Sequence, residues 1–353
     1  MGPRAAPYND ARSLSVVIPT SRGGADLETC LVSLVDQDYP EVEVVVVDNA
    51  SPDRSSIARL PERFPSVSVL HNEENLGFVG ASNQGIEASS GDLILLLNDD
   101  TAVEPGALSA LVDTLARNPA WGACQAKLLL MDDPSRLDTA GSFLTATGFL
   151  IHRGAFEPED RFTASDEIFA AKGAALLVRR CALEEVGAFD PDFFAYFEET
   201  DLCWRLWLAG WEVGFAADAR VLHKLGATAS ALPSAFVQFH SFKNRLCTLL
   251  KNTGTPRLAA MLPVHIVLCG GLAAWYAAHR QPKIGAAILR AVGWNVAQLP
   301  RTLAKRRQIQ ARRRVSDREL MPRIKKPASI RTLVSYARGG PAQKPGSAEI
   351  RSA

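Results

Sequence analysis

Short apolar runs alternate with amphipathic segments through the first half of the chain. Leu14–Pro19 (LSVVIP) is a β-branched run, and Asp26–Asp36 follows it with Leu27, Leu31 and Leu34 at helical spacing. Val42–Val47 (VEVVVV) is a second run, too apolar for a strand with one face in water, and the turn cluster Asp48–Asp53 ends it. Val67–Leu70 predicts a third strand, Gly80–Ser89 a helix, and Asp92–Leu97 (DLILLL) a fourth strand ending at Asn98-Asp99-Asp100. Repeated strand–helix units with continuously apolar strands predict an α/β fold, its mainly parallel sheet flanked by helices. Such sheets bind ligands at the carboxyl ends of their strands, where Thr20, Asp48 and the Asp99-Asp100 pair fall.

Between Ala120 and Arg180 the pattern loosens and carries no readable motif. Ala174–Val178 then predicts a strand, Asp201–Ala209 (DLCWRLWLA) a helix ending at Gly210, and Trp211–Ala216 a further short strand. From Pro233 helical patterns dominate and acids nearly vanish. Leu258–Ala278 is a 21-residue apolar run broken by Pro263, His265 and the Gly270-Gly271 pair, and Ile284–Leu299 is a second, amphipathic segment. These shifts divide the chain into an N-terminal extension (1–12), an α/β domain (13–232), a helical, basic, membrane-associated region (233–338) and a disordered tail (339–353).

The 353 residues are 47% hydrophobic and 22% charged, which excludes wholesale disorder, a collagen-like repeat and a basic chromatin-type protein. The net charge of +1 hides an asymmetry. Arg301–Arg338 holds 13 Lys/Arg against Asp317 and Glu319, a local +11 that leaves −10 for the rest, so the two parts are expected to meet different partners. Six scattered cysteines without a CxxC pair predict reduced, mostly buried thiols. Met1–Asn9 has no apolar stretch, so no secretory leader is expected.

Three clusters carry candidate chemistry. A buried leucine run ending in Asp99 and Asp100 suits Mg²⁺ or Mn²⁺ with diphosphate oxygens, and it equally suits a helix N-cap before a helix from about Glu104. Asp48, with Thr20 and Asp99 on neighbouring strand ends, suits a ribose and base; alone it is a turn aspartate. The Asn75–Gly85 stretch offers glycines for close approach to a nucleotide, or simply for a turn. It does not match GxGxxG, and no GxxxxGK[ST] loop exists. The third cluster, Glu198, Glu199 and Asp201 among aromatics, either complements a helix dipole or holds a desolvated general base.

In order, SVVIPT, VVVVDNAS, ENLGFVGASNQG, NDD, FFAYFEETDLCWRLWLAGW and the late His223 resemble the family 2 inverting glycosyltransferases of GT-A fold. Within them the chain looks most like the rhamnosyltransferase branch, which includes enzymes that extend polyprenyl-diphosphate-linked sugars. The likeness covers Leu14 to His223, with a looser likeness over Phe239–Lys251 and the basic stretch. It implies that Pro19, Thr20, Asp48, Asn75, Gly77, Asn83 and Asp99 bind the nucleotide sugar. Asp100 and His223 would bind Mg²⁺ or Mn²⁺, with Asn98 in place of a further carboxylate. Glu199 takes the base position, where the family often has Asp, which leaves Glu198 as its rival; Glu198, Trp204 and Arg205 would face the acceptor. The implied reaction moves L-rhamnose from dTDP-rhamnose to a lipid-linked saccharide in bacterial envelope polysaccharide synthesis. Alternatives are a UDP-hexose or UDP-galactofuranose transferase and a non-catalytic membrane-associated relative.

An apolar helix over Leu258–Ala278 either crosses the bilayer or lies in its interface, and the basic stretch would attract anionic lipid at the cytoplasmic face of the inner membrane. No nucleic-acid partner is expected, since the basic residues lack interleaved aromatics or a recognised module. An oligomer is compatible with the sequence.

Overall fold

The computed structural model describes residues 13–40, 42–224 and 232–327. The expected N-terminal extension and the 339–353 tail lie outside them. Strand β1 (Leu14–Thr20), helix α1 (Gly24–Val35), β2 (Val42–Asn49), the short helices α2 (Arg54–Ala58) and α3 (Leu60–Arg63), and β3 (Val67–Asn72) open the chain. Helix α4 (Gly77–Ala88), β4 (Leu93–Leu97), β5 (Thr101–Val103) and α5 (Ala107–Arg117) complete the first half. Strands β3, β2, β1 and β4 lie side by side and parallel, with Thr20 opposite Asp48 and Asp48 opposite His71. Every residue of β4 is buried because helices cover both faces of the sheet. Close packing is specified locally. A Cβ on Gly85 would stand 2.3 Å from Val17, so α4 needs glycine there to lie on β1.

The loosely patterned stretch holds β6 (Trp121–Leu130), β7 (Asp133–Thr139), β8 (Ser142–Leu144), β9 (Leu150–His152) and β10 (Asp166–Glu167), followed by β11 (Ala175–Arg179) and α6 (Arg180–Val186). Then come α7 (Glu198–Ala209) and β12 (Glu212–His223). The large sheet runs β10-β12-β6-β11-β4-β1-β2-β3, so its parallel run ends at β4 and the other half is mixed: β11 is antiparallel to both β4 and β6, while β12 is parallel to β6. Polar residues hid β6 from a periodicity reading. Gln125 and Lys127 are buried within it and satisfied internally: Gln125 donates to Thr139 O and accepts from the Lys172 N–H, and Lys127 donates to Glu159. The strand expected over Trp211–Ala216 continues to His223, which puts that histidine on the sheet rather than in a loop.

Among the described residues five helices follow: α8 (Ser234–Asn252), α9 (Thr255–Ala278), α10 (Pro282–Ala297), α11 (Leu299–Ala311) and α12 (Asp317–Ile324). The change at Pro233 is one of element type, because the main core runs across it. Leu320, Met321 and Ile324 of α12 share one apolar cluster with Trp204, Trp207 and Phe169. The basic stretch is consumed in part by this return. Arg301 and Lys305 pair with Asp192, Lys305 also with Asp190, Arg314 with Glu185, and Arg323 with Glu167 and Glu212. Four of the 13 basic residues thus meet acids of the α/β body; residues 328–338 lie outside the described residues. Helix α9 buries Met261, His265, Cys269, Ala273 and Tyr276 and turns Val264, Val267 and Leu268 to the outside. Val267 is 73% exposed. Five of the six cysteines are buried, and no disulfide links them.

Candidate active site

A cavity of about 420 Å³ opens at the carboxyl ends of β1, β2 and β4. One wall is Pro19, Thr20, Asn49, Asn75 and Gly77, the floor is Asn98, Asp99, Asp100 and His223, and the far wall is Lys172, Gly173 and Phe194–Glu199.

On the first wall, Asn49 organises the backbone. Its amide donates to Asn75 Oδ1 (2.9 Å) and Gly77 O (3.1 Å) and accepts from the Leu76 N–H (2.9 Å). Gly77 has φ +74°, and a Cβ there would lie 2.4 Å from the Phe194 carbonyl, so no other residue fits between the two walls. Sequence reasoning passed over Asn49, whose neighbour Asp48 carried the signal. Asp48 stands behind the wall: it accepts from the Ser51 N–H and pairs with His71 Nδ1 (3.0 Å). Burial opposes its ionisation, but Ser51 and His71 hold the carboxyl below its usual range. Asn83 is also outside the cavity, exchanging two hydrogen bonds with the Phe189 backbone.

On the floor, the helix-cap reading of Asp100 fails, because Thr101–Val103 form β5, antiparallel to β12, and α5 begins only at Ala107. That pairing sets His223 opposite Thr101 and brings its Nε2 to 3.4 Å from Asp100 Oδ1, which is buried and accepts no hydrogen bond. Asp99 is engaged differently, accepting from Thr20 Oγ1 (2.6 Å), and burial raises its carboxyl to about 6. Behind His223 lies a residue the sequence did not reveal. Asp138 Oδ2 is 2.7 Å from His223 Nδ1, and Lys172 Nζ donates to Asp138 Oδ2 at 2.6 Å and to its Oδ1 at 2.8 Å. Burial opposes the charge of Asp138, yet Lys172 and His223 hold it well below the carboxylate range. Burial opposes a charge on His223, but Asp100 and Asp138 raise its imidazole above the usual range, so a divalent cation between Asp100 and Nε2 would take the place of the Nε2 proton. Among the described residues no three His, Cys, Asp or Glu side chains converge as a closed metal cage. An orphaned carboxylate oxygen and an imidazole nitrogen facing one gap do fit a Mg²⁺ or Mn²⁺ ion that keeps its other positions for diphosphate oxygens and water.

On the far wall, two consecutive non-glycine residues, Tyr196 and Phe197, adopt φ +72° and +73°. Asn244 of α8 holds this strained turn, donating to the Ala195 and Tyr196 carbonyls at 2.9 and 2.6 Å. The turn delivers the start of α7 to the cavity and divides its three acids. Asp201 points away, bound by Arg205, Lys251 and Asn252. Glu198 is buried with Oε2 unpartnered, and burial followed by the neighbouring Glu199 charge pushes its carboxyl well above the usual range. Glu199 is partly open to the cavity, and burial raises it to about 7. Trp204 and Arg205, two turns along α7, do not face an acceptor. Trp204 is fully buried edge-on to Phe169, and Arg205 donates to Asp201 and the carbonyls of Val186, Gly187 and Ala188.

Residues 15–187 match the family model "Glycosyl transferase family 2". The N-acetylglucosaminyl-diphospho-decaprenol L-rhamnosyltransferase of Mycobacterium tuberculosis H37Rv is 31% identical over 250 residues, 64% of this chain and 81% of that protein. The chain belongs to glycosyl transferase family 2. It is a glycosyltransferase, and solved structures bear out the GT-A-like fold. A Pyrobaculum calidifontis mannosyltransferase bound to GDP-Man and Mn²⁺ is similar with a TM-score of 0.53 and 19% identity, over 84% of this chain and 90% of that one. S. aureus TarS 1–349 with UDP-GlcNAc is similar at 0.54 and 17%, over 84% and 89%. In this glycosyltransferase the cavity joins the strand ends shared by α/β ligand sites to a carboxyl pair carried on a separate helix.

Proposed function

We propose that this glycosyltransferase is metal-dependent and inverting, and that it moves L-rhamnose from dTDP-rhamnose to a lipid-linked saccharide in bacterial envelope polysaccharide synthesis. The observation that carries the reading is the opposition, across one cavity, of the Asp100–His223 pair and the raised carboxyl of Glu199. Pro19, Thr20, Asn49, Asn75 and Gly77 bound the nucleoside end, with Asp48 behind them. Asp100 and His223 would hold the divalent cation, which when bound neutralises charge on a departing nucleoside diphosphate.

Glu199 is the base. An acceptor hydroxyl in the cavity donates its proton to the Glu199 carboxylate as its oxygen attacks the anomeric carbon, and the nucleoside diphosphate leaves from the opposite face, so the configuration inverts. Glu198 remains protonated beside it, because two buried carboxyls cannot both ionise cheaply, and it orients the acceptor as a hydrogen-bond donor. The rhamnosyl donor and the lipid-linked acceptor rest on the M. tuberculosis relative's function. The helical region from 233 carries the membrane contact: the outward face of α9 has no charged residue between Leu258 and Ala278, which suits a helix lying in the cytoplasmic interface of the inner membrane.

Thermal unfolding of the purified chain with dTDP, UDP, GDP or CDP, with and without Mn²⁺, tests donor and metal together. A Mn²⁺-dependent rise in Tm with dTDP is the expected result. A rise confined to UDP replaces the donor, and no rise with any nucleotide removes the catalytic reading. Asp138→Asn is expected to weaken Mn²⁺ binding in the presence of nucleotide by about 10- to 100-fold, as loss of an outer-shell partner does. Calorimetric titration measures it, and unchanged affinity limits Asp138 to a structural role.

A further inference from the structure

Several cations of the C-terminal helices that pack against the catalytic body are well supplied with acceptors. On α8, Lys243 donates to the Asp192 carbonyl, and Lys251 pairs with Asp190 and Asp201. Arg245 is not so supplied. Its Nε and Nη1 are buried and donate to nothing, and among the described residues no carboxylate lies within ion-pair distance of it. Three aromatic rings surround the guanidinium instead: Phe149 at 4.5 Å, Phe242 at 4.8 Å and Phe197 at 5.2 Å. Ring faces attract a cation, but they leave its N–H groups unsatisfied. Burial draws the Arg245 guanidinium down to about 10, so the fold carries this charge against its own stability.

The position explains why such a charge is kept. Phe197 belongs to the cavity wall that bears Glu198 and Glu199. Phe149 and Phe242 belong to the cluster that seats α9 and α10. Arg245 therefore stands between the catalytic cavity and the helix whose outward face is apolar. We propose that Arg245 binds the phosphate or diphosphate group that joins the acceptor saccharide to its lipid. The inference rests on the lipid-linked acceptor of the preceding reading. A saccharide at Glu199 and an alkyl chain along α9 leave the linking anion in the interval Arg245 occupies. A guanidinium presents a planar fork of donors to phosphate oxygens, and the three rings exclude water and strengthen the contact.

The test uses the full chain in detergent with EDTA, which keeps diphosphates from a metal-bearing donor site. Farnesyl diphosphate, farnesol and inorganic pyrophosphate are titrated into the wild type, Arg245→Met and Arg245→Lys. The wild type is expected to bind farnesyl diphosphate about tenfold or more tighter than farnesol. Arg245→Met should erase that difference while leaving farnesol affinity unchanged, and Arg245→Lys should retain part of it. Without ligand, Arg245→Met should melt at or above the wild-type Tm, because a buried, unpaired charge has been replaced by an apolar chain. A lowered Tm together with undiminished farnesyl diphosphate binding would overturn the proposal by making Arg245 structural. Pyrophosphate binding as tight as that of farnesyl diphosphate, and equally lost in Arg245→Met, would overturn the lipid-linked assignment in favour of a free anion. Nucleotide–Mn²⁺ stabilisation of the wild type reports separately on the glycosyl-transfer reading.

Discussion

Glu199→Gln is expected to lower kcat by about 10²- to 10⁴-fold, the range for loss of a positioned general base. Nucleotide-induced stabilisation should be near normal, because Glu199 lies on the wall opposite the nucleoside end. Glu198→Gln should remain substantially active, since Glu198 already carries its proton; if it is the dead variant, the base has been misassigned. The pH dependence follows from the same burial. The ionised form of Glu199 is required, and its carboxyl is raised to about 7, so wild-type activity should rise with pH through about 7. Stability has the opposite sign. A carboxyl with a raised folded pKa binds more protons folded than unfolded, so its contribution is present below about pH 4.5 and is lost as pH rises through about 7. The Tm of Glu199→Gln should therefore gain on that of the wild type between pH 5 and pH 8. Parallel Tm curves would show that the carboxyl is not desolvated as described.

Asp100→Asn should weaken Mn²⁺-dependent nucleotide binding by about 100-fold or more, beyond the effect of an outer-shell change. The substitution keeps the shape of the side chain and removes the charge from a buried floor oxygen that accepts no hydrogen bond. In the absence of nucleotide its Tm should fall at low pH, where a protonated His223 loses the carboxylate 3.4 Å away, and move little at high pH. Titration of Mn²⁺ against a fixed nucleotide concentration separates the outcomes. An unchanged Mn²⁺ requirement would remove Asp100 from the metal site and leave His223 without its facing carboxylate.

The distribution of work among the acids near Glu199 shows how far local sequence reaches. Three carboxylates within four residues read equally as a dipole-stabilising cluster and as a catalytic one. The structure divides the acids: Asp201 is a buried ion-pair partner of Arg205 and Lys251, while Glu198 and Glu199 line the cavity. The choice was made by the strained turn at Tyr196 and Phe197, held by Asn244 nearly fifty positions away. Trp204 and Arg205 were misplaced for a related reason. Their types suit a sugar site, but the helix that carries Glu199 to the cavity buries its next two turns in the core.

What the sequence determined by itself was the set of interactions between near neighbours. The β-branched runs of β1, β2 and β4, the leucine spacing of α1 and the acids at strand ends are each dictated within a few residues, and those elements lie where the patterns put them. The tertiary structure decided whatever depended on partners remote in the chain. Strand β6 was illegible because its buried Gln125 and Lys127 are satisfied by Thr139, Lys172 and Glu159 rather than by alternation. Asp138 joined the site only because the β6–β7 and β6–β12 pairings bring it 2.7 Å from His223, 85 residues on. Four cations of the basic stretch, Arg301, Lys305, Arg314 and Arg323, met acids of the α/β body that local sequence does not pair with them. Periodicity records which face of an element is buried; it does not record which distant polar group makes a buried charge affordable.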